Sequence, residues 1–242
     1  GTKPVITNVY NYQKPAPEKP SLISFDDVET LFHEFGHSIH GIFANQQYAS
    51  LSGTAVPRDF VEFPSQINEH FALEPEVIKN YALHYETKQP IPDALIEKIK
   101  KADTFNQGYM TTELVSAAMA DMTWHTVKDK SQFKPVLEFE KEALTKNGFT
   151  LASVPPRYHA PYFSHVWGGG YSAGYYAYIW AETLDADAWE WIKSNGGMTR
   201  ENGDRYRKYI LSVGNSEDLN EAYRKFSGRN PGIEPLLRMR GF

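Results

Sequence analysis

The 242-residue sequence contains no cysteine. That absence excludes disulfides, thiolate metal sites and cysteine nucleophiles, so any metal has to be held by His, Asp or Glu. It leaves the redox compartment open. No apolar run approaches the roughly 20 residues of a membrane-spanning helix. Basic charge is not in excess: 25 Lys and Arg face 30 Asp and Glu, a net charge of −5. That balance argues against a nucleic-acid partner. No repeat, heptad run or low-complexity segment stands out. The opening Gly1-Thr2-Lys3-Pro4 has neither an initiator Met nor a signal-peptide pattern, and the chain is expected to be a piece of a longer protein. The expected compartment is the cytoplasm, with the periplasm also open, because a targeting segment would lie upstream.

What is present is an ordinary globular composition, with 41% hydrophobic and 23% charged residues, enough for a core without staples. The patterning predicts a mainly α chain with at most a small strand element. Val5-Ile6-Thr7-Asn8-Val9-Tyr10 is β-branched and aromatic and reads as a strand. A helix is expected from the N-cap Ser24, with Asp26, Asp27 and Glu29 at the positive end of its dipole. Val28, Leu31, Phe32, Phe35, Ile39 and Ile42 recur at helical spacing and carry it to about Ala44. A second helix is expected from about Asp59–Pro64 to Leu73, since Pro64 is tolerated only near its first turns. Further helices are predicted at about 75–87, 92–103, 106–128, 135–146, 172–194, 199–212 and 216–227. Residues 150–171 read as a loop.

The chemistry concentrates on the first long helix. His33 and His37 are four apart and lie on one face, a spacing that lets two imidazoles reach one zinc ion. Glu34 is turned about 100° from His33, beside the metal position, as in metallopeptidases where this Glu is the general base. The same spacing also serves two core or solvated histidines. Gly36 is costly in mid-helix and marks a close approach of another element. A catalytic zinc needs a third protein ligand. His40 lies too far along the same straight helix to converge with His33 and His37, and is expected to be a packed or hydrogen-bonded histidine. Glu62, on the next helix, is the better candidate, although it also suits a helix-end carboxylate pairing with Arg58 or the dipole. Glu69 is either an acceptor orienting a ligand imidazole or a solvated helix charge.

His33-Glu34-Phe35-Gly36-His37 is followed by Arg58-Asp59-Phe60-Val61-Glu62-Phe63-Pro64-Ser65-Gln66. Later come the segment His165 to Tyr178, with its Gly168-Gly169-Gly170 run, and Gly214-Asn215-Ser216-Glu217-Asp218. Together these motifs resemble the thimet oligopeptidase family of zinc peptidases, and nearest its peptidyl-dipeptidase branch, which releases C-terminal dipeptides. The resemblance covers essentially the whole chain. It implies a zincin-like helical catalytic domain, with one zinc ion on His33, His37 and Glu62. It implies Glu34 as general base, and His165, Tyr171 and Tyr178 facing substrate with Tyr175 nearby. It implies short peptides as substrates. Family members are considerably longer, so residues 1–242 are expected to be the C-terminal catalytic portion of a protein that is monomeric at full length.

The residues suit those roles. Amide hydrolysis by zinc needs an acceptor for the proton of the attacking water, and Tyr hydroxyls and a His N–H are suitable donors to an oxyanion. Tyr171 and Tyr178 would project together if one helix began early enough to hold both, though a tyrosine stripe also suits a packed helix face. Arg157 is expected to read the substrate carboxylate, because Arg binds carboxylates bidentately. Two other functions stay open at this stage: an endo-acting oligopeptidase, and an inactive zinc- or peptide-binding module.

Overall fold

Ser24 opens the first long helix through a reciprocal cap. Its hydroxyl accepts from the Asp27 N–H and the Asp27 carboxylate accepts from the Ser24 N–H, each at 3.1 Å. The computed structural model of the chain describes residues 5–242. It is mainly α, and the described residues contain no strand, only an isolated bridge between Leu83 and Pro90. The chain divides into two compact units. One runs up to Thr104 and resumes at Ala181–Phe242, and the other is Phe105–Trp180.

The first unit holds α1 (Phe25–Ile42), α2 (Arg58–Val61), α3 (Phe63–Glu69), α4 (Pro75–Tyr81) and α5 (Asp93–Asp103). Its core joins Phe60, Phe63 and Ile67 to Leu184, Trp189, Ile210, Tyr223 and Phe226, all buried. The last of these come from the C-terminal part of the chain, where α10 (Arg200–Tyr206), a π-helical turn, α11 (Leu219–Ser227) and α12 (Glu234–Met239) follow one another. The second unit holds α6 (Gln107–His125), α7 (Val136–Lys146), α8 (Ser164–Trp167) and the first residues of α9 (Ala177–Ser194). Ala117 and Ala118 of α6 let Phe163, Val166 and Tyr175 pack closely there.

Several elements differ from expectation. Val5–Tyr10 is not a strand. Its exposure alternates with period two, as in a strand, but no neighbouring strand pairs with it. Instead Ile6 reaches the bare face of Gly41, and the Asn8 side chain accepts from the Ser38 hydroxyl at 2.8 Å. Phe35 and Ile42 belong to the apolar stripe of α1 yet are 48% and 58% exposed. The helix expected at 75–87 stops at Tyr81 and gives way to a turn closed by the Leu83–Pro90 bridge. The helix expected over Asp59–Leu73 is broken at Glu62, two residues before Pro64, and its last turn, His70–Leu73, is 3₁₀. The segment read as a loop over 150–171 contains α8, and α12 lies beyond the last predicted helix.

Candidate functional site

Gly36 sets the geometry of the first unit's polar cluster. A Cβ built on it would stand 2.6 Å from both the Pro64 carbonyl oxygen and the Ser65 Cα. α3 therefore crosses α1 backbone-to-backbone at this point, as the mid-helix glycine suggests. The Asn68 amide ties the crossing by donating to the Phe32 carbonyl at 2.6 Å.

The crossing, together with the break before Pro64, brings Glu62 over the histidine face. Glu62 Oε2 lies 3.2 Å from His33 Nε2 and 3.3 Å from His37 Nε2. One donor atom from each of the three residues falls within 4.8 Å of the others. Tetrahedral zinc, with ligands at 2.0–2.2 Å, separates its ligand atoms by roughly 3.3–3.5 Å, so this donor set fits such an ion. Glu62 is 3% exposed, and its Oε2 accepts from the Ser65 hydroxyl at 3.1 Å. Burying a carboxylate is costly unless it is paired or coordinates a metal. The two imidazoles stand edge to face at 5.0 Å and are 21% and 24% exposed, so they are partly open rather than interior.

Glu69 meets a candidate ligand imidazole rather than solvent alone. Its Oε1 lies 2.6 Å from His33 Nδ1, which directs the other ring nitrogen toward Glu62. Burial pulls the His33 pKa down, but the Glu62 and Glu69 carboxylates more than reverse this and raise it to about 10. The His37 Nδ1 is buried without such a partner. His40 is fully buried, and neither of its ring nitrogens has a hydrogen-bond partner. Burial, helped by His37, pulls its pKa down to about 4, so it is a neutral packing residue. Glu34 is half-buried on the next position round α1.

In the second unit, His165, Tyr171, Tyr175 and Tyr178 form one aromatic cluster. The rings of Tyr171 and Tyr178 stack at 5.2 Å, and His165 stands 6.2 and 6.1 Å from them. A shared helix does not produce this pairing, because α9 begins only at Ala177. A tight turn over 171–176 does so, with Ala173 at φ +51°. Gly169 is required by closeness, since a Cβ there would meet the His165 backbone at 2.9 Å. Tyr175 is 4% exposed and packs edge to face on Phe163. It is a core residue of this unit rather than a surface one. Arg157 is exposed, and its backbone N–H donates to the Glu113 carbonyl at 3.1 Å.

Two buried carboxylates hold this irregular region, and neither was singled out from the sequence. Asp121 accepts from the N–H groups of Ala173 and Tyr175. Glu140 accepts from the Ala160 N–H at 2.6 Å and pairs with His159 at 2.8 Å. The available signal for Asp121 was an acidic residue set in the small-residue face of α6.

Two histidines and a carboxylate converging from crossed helices define a metallopeptidase-like site, and the family comparison agrees. The model of peptidase family M3 matches residues 1–242, and the chain belongs to that family. It is 54% identical over 240 residues to dipeptidyl carboxypeptidase of Escherichia coli, covering 99% of this chain. It is 52% identical to dipeptidyl carboxypeptidase of Salmonella typhimurium over 99% of this chain. Oligopeptidase A of Salmonella typhimurium is 35% identical over the same share. The chain spans 35% of the length of each of these relatives. Among the described residues no helix is long and apolar enough to cross a membrane.

Proposed function

We propose that this chain is the C-terminal catalytic portion of a zinc peptidase that releases C-terminal dipeptides from short peptides. The observation that carries the reading is the convergence of His33, His37 and Glu62, with Glu69 orienting His33. Two imidazoles and one carboxylate suit zinc better than magnesium or calcium, which prefer all-oxygen sites. Zinc bound there supplies Lewis acidity, which makes water a nucleophile near neutral pH.

The chain's own residues supply the rest. Glu34 accepts the proton of the attacking water and returns it to the leaving amine. Tyr171, Tyr178 and His165 are assigned as donors to the oxyanion that forms at the scissile carbonyl. That assignment is supported by their chemistry and by the motif they occupy, and losing one such donor costs about 2.7–4 kcal/mol. Arg157 remains the proposed reader of the substrate carboxylate. The greater similarity to the dipeptidyl carboxypeptidases than to oligopeptidase A favours dipeptide release over internal cleavage.

Product analysis tests the reading in the full-length protein. A free-acid peptide is expected to lose its C-terminal dipeptide, and the matching C-terminal amide to react poorly. Equal cleavage of both, at internal bonds, would make the enzyme an endo-acting oligopeptidase. Zinc without any turnover would make it a binding module.

A further inference from the structure

We propose that Asp121 is a positioning residue for the tyrosines of the second unit. Its carboxylate fixes the turn between Tyr171 and Tyr178, and so sets where their hydroxyls stand. The proposal rests on the reading above that these tyrosines act on substrate.

Asp121 lies on α6 and is 1% exposed. Both its oxygens are used on the turn: Oδ1 accepts from the Ala173 N–H at 3.0 Å and Oδ2 from the Tyr175 N–H at 2.9 Å. His125, one helical turn on, places Nδ1 2.8 Å from Oδ1, and its ring packs beside Trp167 at 5.2 Å. The clamp therefore engages the backbone on both sides of Gly174.

The turn needs such a clamp. Ala173 sits at φ +51°, where a Cβ crowds the following carbonyl. Left alone, an alanine there favours other conformations, and the stacking of Tyr171 on Tyr178 depends on this one. The two N–H groups call for two acceptor oxygens. A carboxylate offers both, whereas an amide of the same shape offers one and turns a donor toward the other N–H. Charge also strengthens both bonds. A purely structural carboxylate could serve the same unit from elsewhere, as Glu140 does at Ala160. Asp121 differs in holding the one strained residue between the two tyrosines.

The test is Asp121→Asn in the full-length protein, assayed by dipeptide release alongside zinc content and circular dichroism. The expected result is kcat lowered about 10- to 100-fold, the scale of a misplacement near 1 Å. KM and zinc content stay within about twofold of the parent by the same argument, since ground-state binding and the metal site are untouched. Adding Ala173→Gly to that variant relieves the strained φ and is expected to recover roughly fivefold or more of kcat. A folded, zinc-loaded Asp121→Asn protein with parental kcat overturns the proposal. So does a loss carried wholly by KM.

If Asp121→Asn does not fold, Ala173→Pro decides. It removes the N–H and the left-handed φ while leaving the carboxylate in place. It is expected to lower kcat similarly, and parental kcat overturns the proposal. Tyr171→Phe and Tyr178→Phe are measured in parallel. Parental kcat in both refutes the tyrosine reading and the proposal with it. Impaired tyrosine variants beside a fully active Asp121→Asn refute the positioning role alone.

Discussion

Gly36→Ala is a small change with a large expected effect on metal binding. The added methyl would stand 2.6 Å from Pro64 O and Ser65 Cα, both backbone atoms. Neither can rotate away, so α1 and α3 must part by roughly 0.8 Å to reach ordinary contact near 3.4 Å. Alanine gains about 1 kcal/mol of helix propensity, and overpacking of a tight crossing costs about 1–3 kcal/mol. The stability change is therefore modest, about 0–2 kcal/mol on those two magnitudes. Metal binding is less forgiving, because ligand distances tolerate only about ±0.2 Å. Glu62 begins at the crossing, so parting the helices draws its carboxylate off His33 and His37. Zinc affinity, measured by competition with a chromophoric chelator, is expected to fall at least about tenfold. Thermal unfolding of the metal-free protein separates this from loss of fold, and its midpoint is expected to drop by only a few degrees. Parental zinc affinity in Gly36→Ala would refute the claim that this crossing sets the site.

Glu69→Gln removes the carboxylate that orients His33 and is expected to weaken zinc binding about 10- to 100-fold in the same chelator assay. Parental affinity would show Glu69 to be an incidental neighbour. In the first unit's core, His70 Nε2 lies 2.5 Å from Asp185 Oδ1, and the His70 ring stacks on Trp189. Burial pulls the His70 pKa down, but Asp185 and, behind it, Glu69 together more than reverse this, and the balance lies above the ordinary histidine value. The pair's contribution is therefore complete below the unfolded pKa, near 6.5, and is lost as pH rises through the raised folded value. Urea unfolding of parent and His70→Ala should differ by about 3–5 kcal/mol at pH 6, with the gap narrowing at alkaline pH to what the stacking on Trp189 contributes. A gap that widens with pH would contradict this pairing.

How far the sequence reached depends on whether the determinant is local. The Ser24 cap follows from local residue preference and the facing of His33 and His37 from helical spacing, and both are present. Glu62 required a long-range crossing, and its only local trace was Gly36, a glycine with a helical reason to be absent. Glu69 could not be assigned from spacing, because a carboxylate two turns along a helix looks the same whether it meets a histidine or water. The tyrosine pairing was expected only on the condition that one helix held both residues. α9 begins at Ala177, and a turn with left-handed Ala173 brings Tyr171 to Tyr178 instead. An alanine gives no sign of positive φ, and the carboxylate that compensates lies on another helix. Val5–Tyr10 shows the opposite failure. Its residues favour extended backbone, but a strand also needs a partner, which composition cannot supply, and no strand forms there.

The central claim is that His33, His37 and Glu62 hold a zinc ion that serves peptide hydrolysis with Glu34 as base. It is tested most directly by measuring zinc content and dipeptide release on the same preparations of the full-length parent and Glu34→Gln. One zinc per chain is expected in both, with dipeptide release in the variant lowered by about 10²- to 10⁴-fold, the usual contribution of a general base. Parental turnover by the zinc-loaded Glu34→Gln protein, or parental turnover by a wild-type preparation stripped of zinc, would contradict it.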